Sequence, residues 1–346
     1  MKTYKENSFG SINGQDVLAY TFENEIGYQL KVMNYGATIL EYVTPDKKGN
    51  FTNIVLGFEK FESYPDNSPK YGASIGPVAG RIAGATFELN GLSYQLEQNN
   101  GRNCNHSGST GWDSALFQVE TVSNQGITFY TERSDGAGGF PANLKIWISY
   151  VLTEKGQVKV SYVIETDQDT LVNPTNHSYF NLTGDWNTPI DQHMFQLNNE
   201  GVYSIAADGV PSKTIDKEAS FAQKLRQGVL LKDLFESDDE QIRLVSGLDH
   251  PFELKKDCEN ATTLFEEKSG RLLTVQTDAP CLVVYSANFL DEKVKLNGQT
   301  MKRHNGLALE TQALPDAIHS DQKESVILKA NQIFKSQTIY HAVVKE

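Results

Sequence analysis

The feature that most constrains this chain is the alternation between Lys145 and Glu165. Ile146, Ile148, Tyr150 and Leu152 occupy every second position, and after Glu154-Lys-Gly-Gln157 the series Val158, Val160, Tyr162 and Ile164 repeats the pattern. Successive side chains of a strand point to opposite faces, so period two over two full runs implies a pair of half-buried antiparallel strands. A helix would scatter these eight apolar residues around its axis.

Other segments use the same grammar. Asn13-Gly14 interrupts Phe9–Tyr20, and Asn90-Gly91 interrupts Ala85–Leu96, with Phe87 and Leu89 before the turn and Leu92, Tyr94 and Leu96 after it. Asn-Gly tolerates the positive φ that a type I′ hairpin turn requires. Asn297-Gly298 supplies a further turn near the end. Many short strands with few helical stretches predict an all-β protein, a large antiparallel β-sandwich. One short helix is expected around Phe221 to Phe235, and the acidic run Asp238-Asp-Glu240 reads as a solvated loop. The chain has no Pro/Ser-rich linker, compositional break or fixed-period repeat, so residues 1–346 are expected to form one domain.

Composition narrows the function. A net charge of −13 without any basic run argues against nucleic-acid and anionic-membrane partners. The start has no apolar signal-like region, and no stretch approaches the roughly 18 apolar residues of a membrane span. Cys104, Cys258 and Cys281 are widely separated and odd in number, which predicts free thiols in a reducing, cytoplasmic compartment. There is no HExxH, Cys/His cluster, P-loop, GxGxxG after a strand, or GxSxG elbow, so no metal, nucleotide or flavin cofactor is expected.

The richest chemical stretch is Leu171-Val-Asn-Pro-Thr-Asn-His-Ser-Tyr-Phe-Asn-Leu-Thr-Gly184. Pro174 biases Asn173 to extended geometry, and Tyr179 and Phe180 favour a strand. His177 is thus held on a rigid element among amides and hydroxyls. Taken alone, such a residue is either a hydrogen-bonded core histidine or a proton carrier.

This stretch resembles the central motif of the galactose mutarotase (aldose 1-epimerase) family, and four further blocks are similar to that family in the same order. The resemblance implies the galactose-mutarotase-like supersandwich. Tyr71–Gly84 contains Arg81, which the resemblance makes a sugar ligand. Here the chain departs from the family: Gly80 stands where an asparagine is usual, and Pro77 where an arginine is common. The turn Asn103–Trp112 carries His106, 25 residues after Arg81, with Ser107 in place of a glycine. Ser134–Ala142 resembles a family turn and reads as structural. Gly247-Leu-Asp-His-Pro-Phe252 contributes Asp249 as an acceptor for sugar hydroxyls. His250, its neighbour in an extended segment, should point the other way and stay outside the site.

Near the C-terminus, Cys281–Phe289 places Tyr285 where its ring can stack on sugar C–H groups. His304–Asp316 contains Leu-Glu-Thr-Gln, whose Glu310 matches the family's catalytic base. The implied reaction is interconversion of the α and β anomers of a free aldohexose, with galactose first and glucose second. Glu310 would be the base and His177 the acid. Arg81, His106, Asp249 and Tyr285 would hold the substrate, with no cofactor. Monomer and homodimer both stay open. The rival readings are a non-catalytic sugar binder of the same fold, a hexose-6-phosphate mutarotase, and a β-sandwich glycosidase, which would use two carboxylates.

Overall fold

Three antiparallel sheets organise the protein, whose computed structural model describes residues 4–66, 68–289, 295–296 and 299–345. The first is a five-stranded meander built from Lys5–Ile12, Gln15–Glu23, Gln29–Met33, Thr38–Pro45 and Phe51–Asn53. The Asn13-Gly14 turn joins its first two strands with φ of 51° and 75°, both in the left-handed region that this dipeptide accommodates.

A nine-stranded sheet forms the other large layer. Its spatial order is Gln118–Val122, Gly126–Arg133, Leu144–Leu152, Val158–Thr166, Ile333–Val344, Arg271–Thr277, Thr262–Glu266, His193–Leu197 and Val229–Leu230. The hairpin expected from Lys145 to Glu165 pairs Leu144 with Thr166 through Leu152 with Val158, and all eight alternating apolar residues are buried. The C-terminal strand pairs with Val158–Thr166 on one side and Arg271–Thr277 on the other. It therefore joins two distant parts of the chain in one layer.

One continuous core spans the layers, from Tyr20, Phe22 and Leu30 of the meander to Phe129, Ile146, Tyr150 and Tyr340 of the large sheet. Tyr42 ties three elements together: its hydroxyl donates to the Gly156 carbonyl and accepts from the Ala342 N–H. The second Asn-Gly hairpin, Thr86–Leu89 with Leu92–Gln95, has φ of 55° and 76° at its turn. Phe87 and Leu89 are buried, but Leu92, next to the turn, is exposed. The turn at Asn297-Gly298 lies outside the described residues.

The helical segment departs from expectation. Two helices, α1 (Ser220–Gln227) and α2 (Leu231–Phe235), replace the single one over Phe221–Phe235. They separate at Gly228, whose φ of 87° is incompatible with a helix. A third helix, α3 (Glu240–Val245), begins in the acidic run taken for a loop. Asp239 caps it by accepting from the Gln241 N–H. Among the described residues no helix is long and apolar enough to cross a membrane.

The third sheet carries the site. It has five strands in the order Tyr179–Phe180, Leu307–Gln312, Cys281–Tyr285, Asp249–Leu254 and Asn199–Val202.

Candidate active site

A cavity of about 770 Å³ opens over this third sheet. All six residues singled out in the sequence, Arg81, His106, His177, Asp249, Tyr285 and Glu310, line it. They come from separate parts of the chain, and strand pairing brings them together.

Glu310 sits in the interior strand Leu307–Gln312, where every residue is buried. Its pairing partner is Val283, and Tyr285 lies opposite both Ala308 and Asp249. This register places the carboxylates of Glu310 and Asp249 over one cavity floor. Their neighbours face the other way. His250 packs its ring 5.2 Å from that of Phe221 and sets Nε2 3.2 Å from Gln241 Oε1, outside the cavity lining. Period two separates the two residues, as expected of an extended segment.

His177 follows the short strand Thr175–Asn176, which pairs with Ser74–Ile75. Its backbone is anchored at both groups: the N–H donates to the Ala73 carbonyl, and the carbonyl accepts from the Gly72 N–H. Beside it, Asn176 donates to the Gly72 carbonyl and accepts from Ser178. The Tyr179 ring backs the imidazole at 4.9 Å. Held this way, His177 Nε2 lies 3.3 Å from Glu310 Oε1, and both residues are only 4% exposed.

Arg81 and His106 are brought side by side by a two-residue ladder, Arg81–Ile82 with Cys104–Asn105. Gly80 N–H donates to His106 Nδ1 at 3.2 Å, which leaves the proton of the neutral ring on Nε2. His106, Ser107 and Gly108 all have left-handed φ (52°, 64° and 69°). The serine replacing the family glycine is held there by its hydroxyl, which accepts from Val78 N–H and donates to the Val78 carbonyl. The Ser134–Ala142 turn braces this loop, with Arg133 donating to both Thr110 Oγ1 and the Ala137 carbonyl.

Arg81 Nη1 is 3.6 Å from Asp249 Oδ2, and its Nε donates to Asn100 Oδ1. The guanidinium packs against Gly209, where an added Cβ would come within 2.4 Å of Cζ, so a side chain there would have to displace it. Pro77 does not line the cavity, whereas Gly80 does.

Electrostatics follow from burial. Desolvation pushes Glu310 up to about 8; the nearby Asp249 charge adds to this and Arg81 opposes it. Burial depresses His177 to about 4, with Lys70 contributing in the same direction. His106 is also held well below its usual range, by burial first and then by His177, Arg81 and Lys70. Asp249 is raised by desolvation, partly offset by Arg81.

The structure adds lining residues that were not singled out in the sequence. Lys70 is paired with Asp113 at 2.5 Å, Tyr179 forms the floor, and Gln312 stands two positions beyond Glu310. The period-two rule applied to Leu-Glu-Thr-Gln was the available signal for Gln312. Lys70, outside any strand, had none. Among the described residues, no group of three or more His, Cys, Asp or Glu side chains is arranged to hold a metal.

A carboxylate and an imidazole within proton-transfer reach, surrounded by hydrogen-bonding groups and tyrosine rings, can shuttle protons on a small polar molecule. That is the working arrangement of an acid–base isomerase. The sequence model of the aldose 1-epimerase family matches residues 19–341. The chain is 35% identical to the galactose mutarotase of Bos taurus over 314 residues, 90% of each protein. It is 29% identical to the aldose 1-epimerase of Escherichia coli K12, covering 96% of this chain and 97% of that one. The structure of a galactose 1-epimerase from Lactobacillus acidophilus NCFM is similar over 100% of both chains, with a TM-score of 0.89 at 26% identity. The chain belongs to the aldose 1-epimerase family.

Proposed function

We propose that the protein is a mutarotase of free aldohexoses, galactose first and glucose second, with Glu310 and His177 as the catalytic pair. The observation that carries this reading is the 3.3 Å separation of the two groups on the cavity floor. Ring opening transfers the C1 hydroxyl proton to the Glu310 carboxylate and a proton from His177 to the ring oxygen. The C1–O5 bond breaks and C1 becomes the aldehyde carbon. After rotation about C1–C2, O5–H returns its proton to His177, Glu310 protonates the aldehyde oxygen, and the ring closes on the other face.

The free site holds its proton differently from the opening step. Burial raises Glu310 and lowers His177, so near neutrality the shared proton rests on Glu310 and the imidazole is neutral. This is the protonation state of the open-chain complex. With Glu310 as base and His177 as acid, opening a closed sugar begins with the proton moving from Glu310 to His177, over the short gap between them.

Arg81, Asp249, His106 and Tyr285 are assigned to substrate binding. Asp249 accepts hydroxyl protons, while Arg81 and the His106 Nε2–H donate; the Tyr285 ring offers a face to C–H groups. A hexose-6-phosphate substrate is disfavoured by charge. The cavity cations Lys70 and Arg81 each face a carboxylate, Asp113 and Asp249. A non-catalytic sugar binder would have no use for a buried acid–base pair, whose desolvation is costly. The continuous core from Tyr20 to Ala342 supports one domain, and three free cysteines fit a cytoplasmic setting.

Polarimetry on freshly dissolved α-galactose, with α-glucose and xylose in parallel, tests the assignment. Acceleration above the buffer rate, greatest with galactose, is expected. The buffer rate with all three sugars would overturn it.

A further inference from the structure

We infer that Gln312 holds a ring hydroxyl of the sugar and orients the substrate over Glu310, an assignment that rests on the mutarotase reading above. Gln312 is 2% exposed and lines the cavity. Its amide nitrogen and amide oxygen both lack a hydrogen-bond partner, and among the described residues it is the one carboxamide orphaned at both ends. A buried carboxamide without protein partners is costly, and native proteins rarely keep one without a use. A sugar hydroxyl, which donates and accepts at once, satisfies both halves of the amide in a way that an ion or an apolar group cannot.

Placement supports the assignment. Gln312 and Glu310 alternate onto the same face of the strand Leu307–Gln312, with Cα atoms about 7 Å apart. Thr311, between them, turns the other way and bonds the Thr338 hydroxyl in the large sheet. The far wall is made by Gly80 and Pro315. A Cβ added at Gly80 would lie 3.6 Å from Gln312 Nε2 and 2.7 Å from Pro315 Cβ. A side chain at position 80 would therefore collide with the proline and lie in van der Waals contact with the amide. Gln312 is the carboxamide presented at that wall.

The test uses Gln312→Leu, which keeps the bulk and removes both hydrogen-bonding groups. Polarimetric kcat and KM are measured on galactose and on its 2-, 3-, 4- and 6-deoxy analogues, together with the Tm of the sugar-free protein. The expected result is a KM for galactose raised roughly three- to tenfold, the range of one neutral hydrogen bond. The sugar-free Tm should be unchanged or higher, because an orphaned amide is removed. For one deoxy analogue, wild type and variant should show the same KM, since the partner hydroxyl is already missing. An unchanged KM with a lowered Tm, or losses that add for every analogue, would overturn the assignment. Should Gln312→Leu not fold, Gln312→Met takes its place with the same readouts. A wild type silent on every sugar would overturn the mutarotase reading and this assignment with it, whereas an active wild type with an indifferent variant overturns this assignment alone.

Discussion

His177 Nε2 lies 3.3 Å from Glu310 Oε1, with both groups removed from water, and this one distance makes them a single titrating unit. A proton on either residue leaves the same net charge on the pair, so kinetics report macroscopic values of the unit. Burial pushes Glu310 up to about 8 and His177 down to about 4. The pair therefore carries one proton across the interval between these values. kcat/KM, corrected for the spontaneous reaction, should form a broad plateau there and fall on both sides. A narrow optimum between about 4.5 and 6.5, the ordinary values of the two groups, would show that burial does not govern the pair.

The raised Glu310 also sets a stability dependence. Between its unfolded and folded values the native state holds a proton that the unfolded chain releases. Its contribution is thus fully present below about 4.5 and is lost as pH rises through about 8. Glu310→Gln cannot ionise, so its Tm should exceed that of wild type at pH 9 by more than at pH 5. Thermal melts at the two pH values decide this; equal differences at both would refute it.

The same substitution should remove most of kcat while galactose still binds, because the amide keeps the shape and cannot accept the proton. His177→Asn should be similarly impaired. The double variant should cost less than the product of the single losses, since either substitution alone breaks the relay. Single-turnover polarimetry with a separate measurement of galactose binding checks both parts. Near wild-type turnover by Glu310→Gln would assign the base elsewhere.

Arg81 and Asp249 face each other at 3.6 Å beside Glu310 and act on it with opposite sign. Either alanine variant should raise the KM for galactose, as each loses a charged hydrogen bond of about 1.5–3 kcal/mol. The alkaline limb of the pH profile separates them. Arg81→Ala removes the cation that lowers Glu310, so the limb should move up; Asp249→Asn removes the charge that raises it, so the limb should move down. Limbs moving together, or not at all, would mean that neither residue acts on Glu310.

The strand content, the Lys145–Glu165 hairpin and the Asn-Gly turns were legible in the sequence, because period-two burial and positive-φ turns are local properties written residue by residue. The exclusion of His250 was also a local inference, from the opposite facing of neighbours. The helical region was less legible: Gly228 divides α1 from α2, and Asp239 turns an apparent loop into the cap of α3. The six candidate residues that line the cavity could be named from their motifs. Their protonation could not, because Glu310 owes its raised value to burial on an interior strand of the third sheet and to Asp249 two strands away. The same holds for the Arg81–Asp249 pair, the Nε2–H tautomer of His106 and the orphaned amide of Gln312. Each is a relation between residues far apart in the chain, created only when long-range strand pairing excludes water and sets distances of a few ångströms.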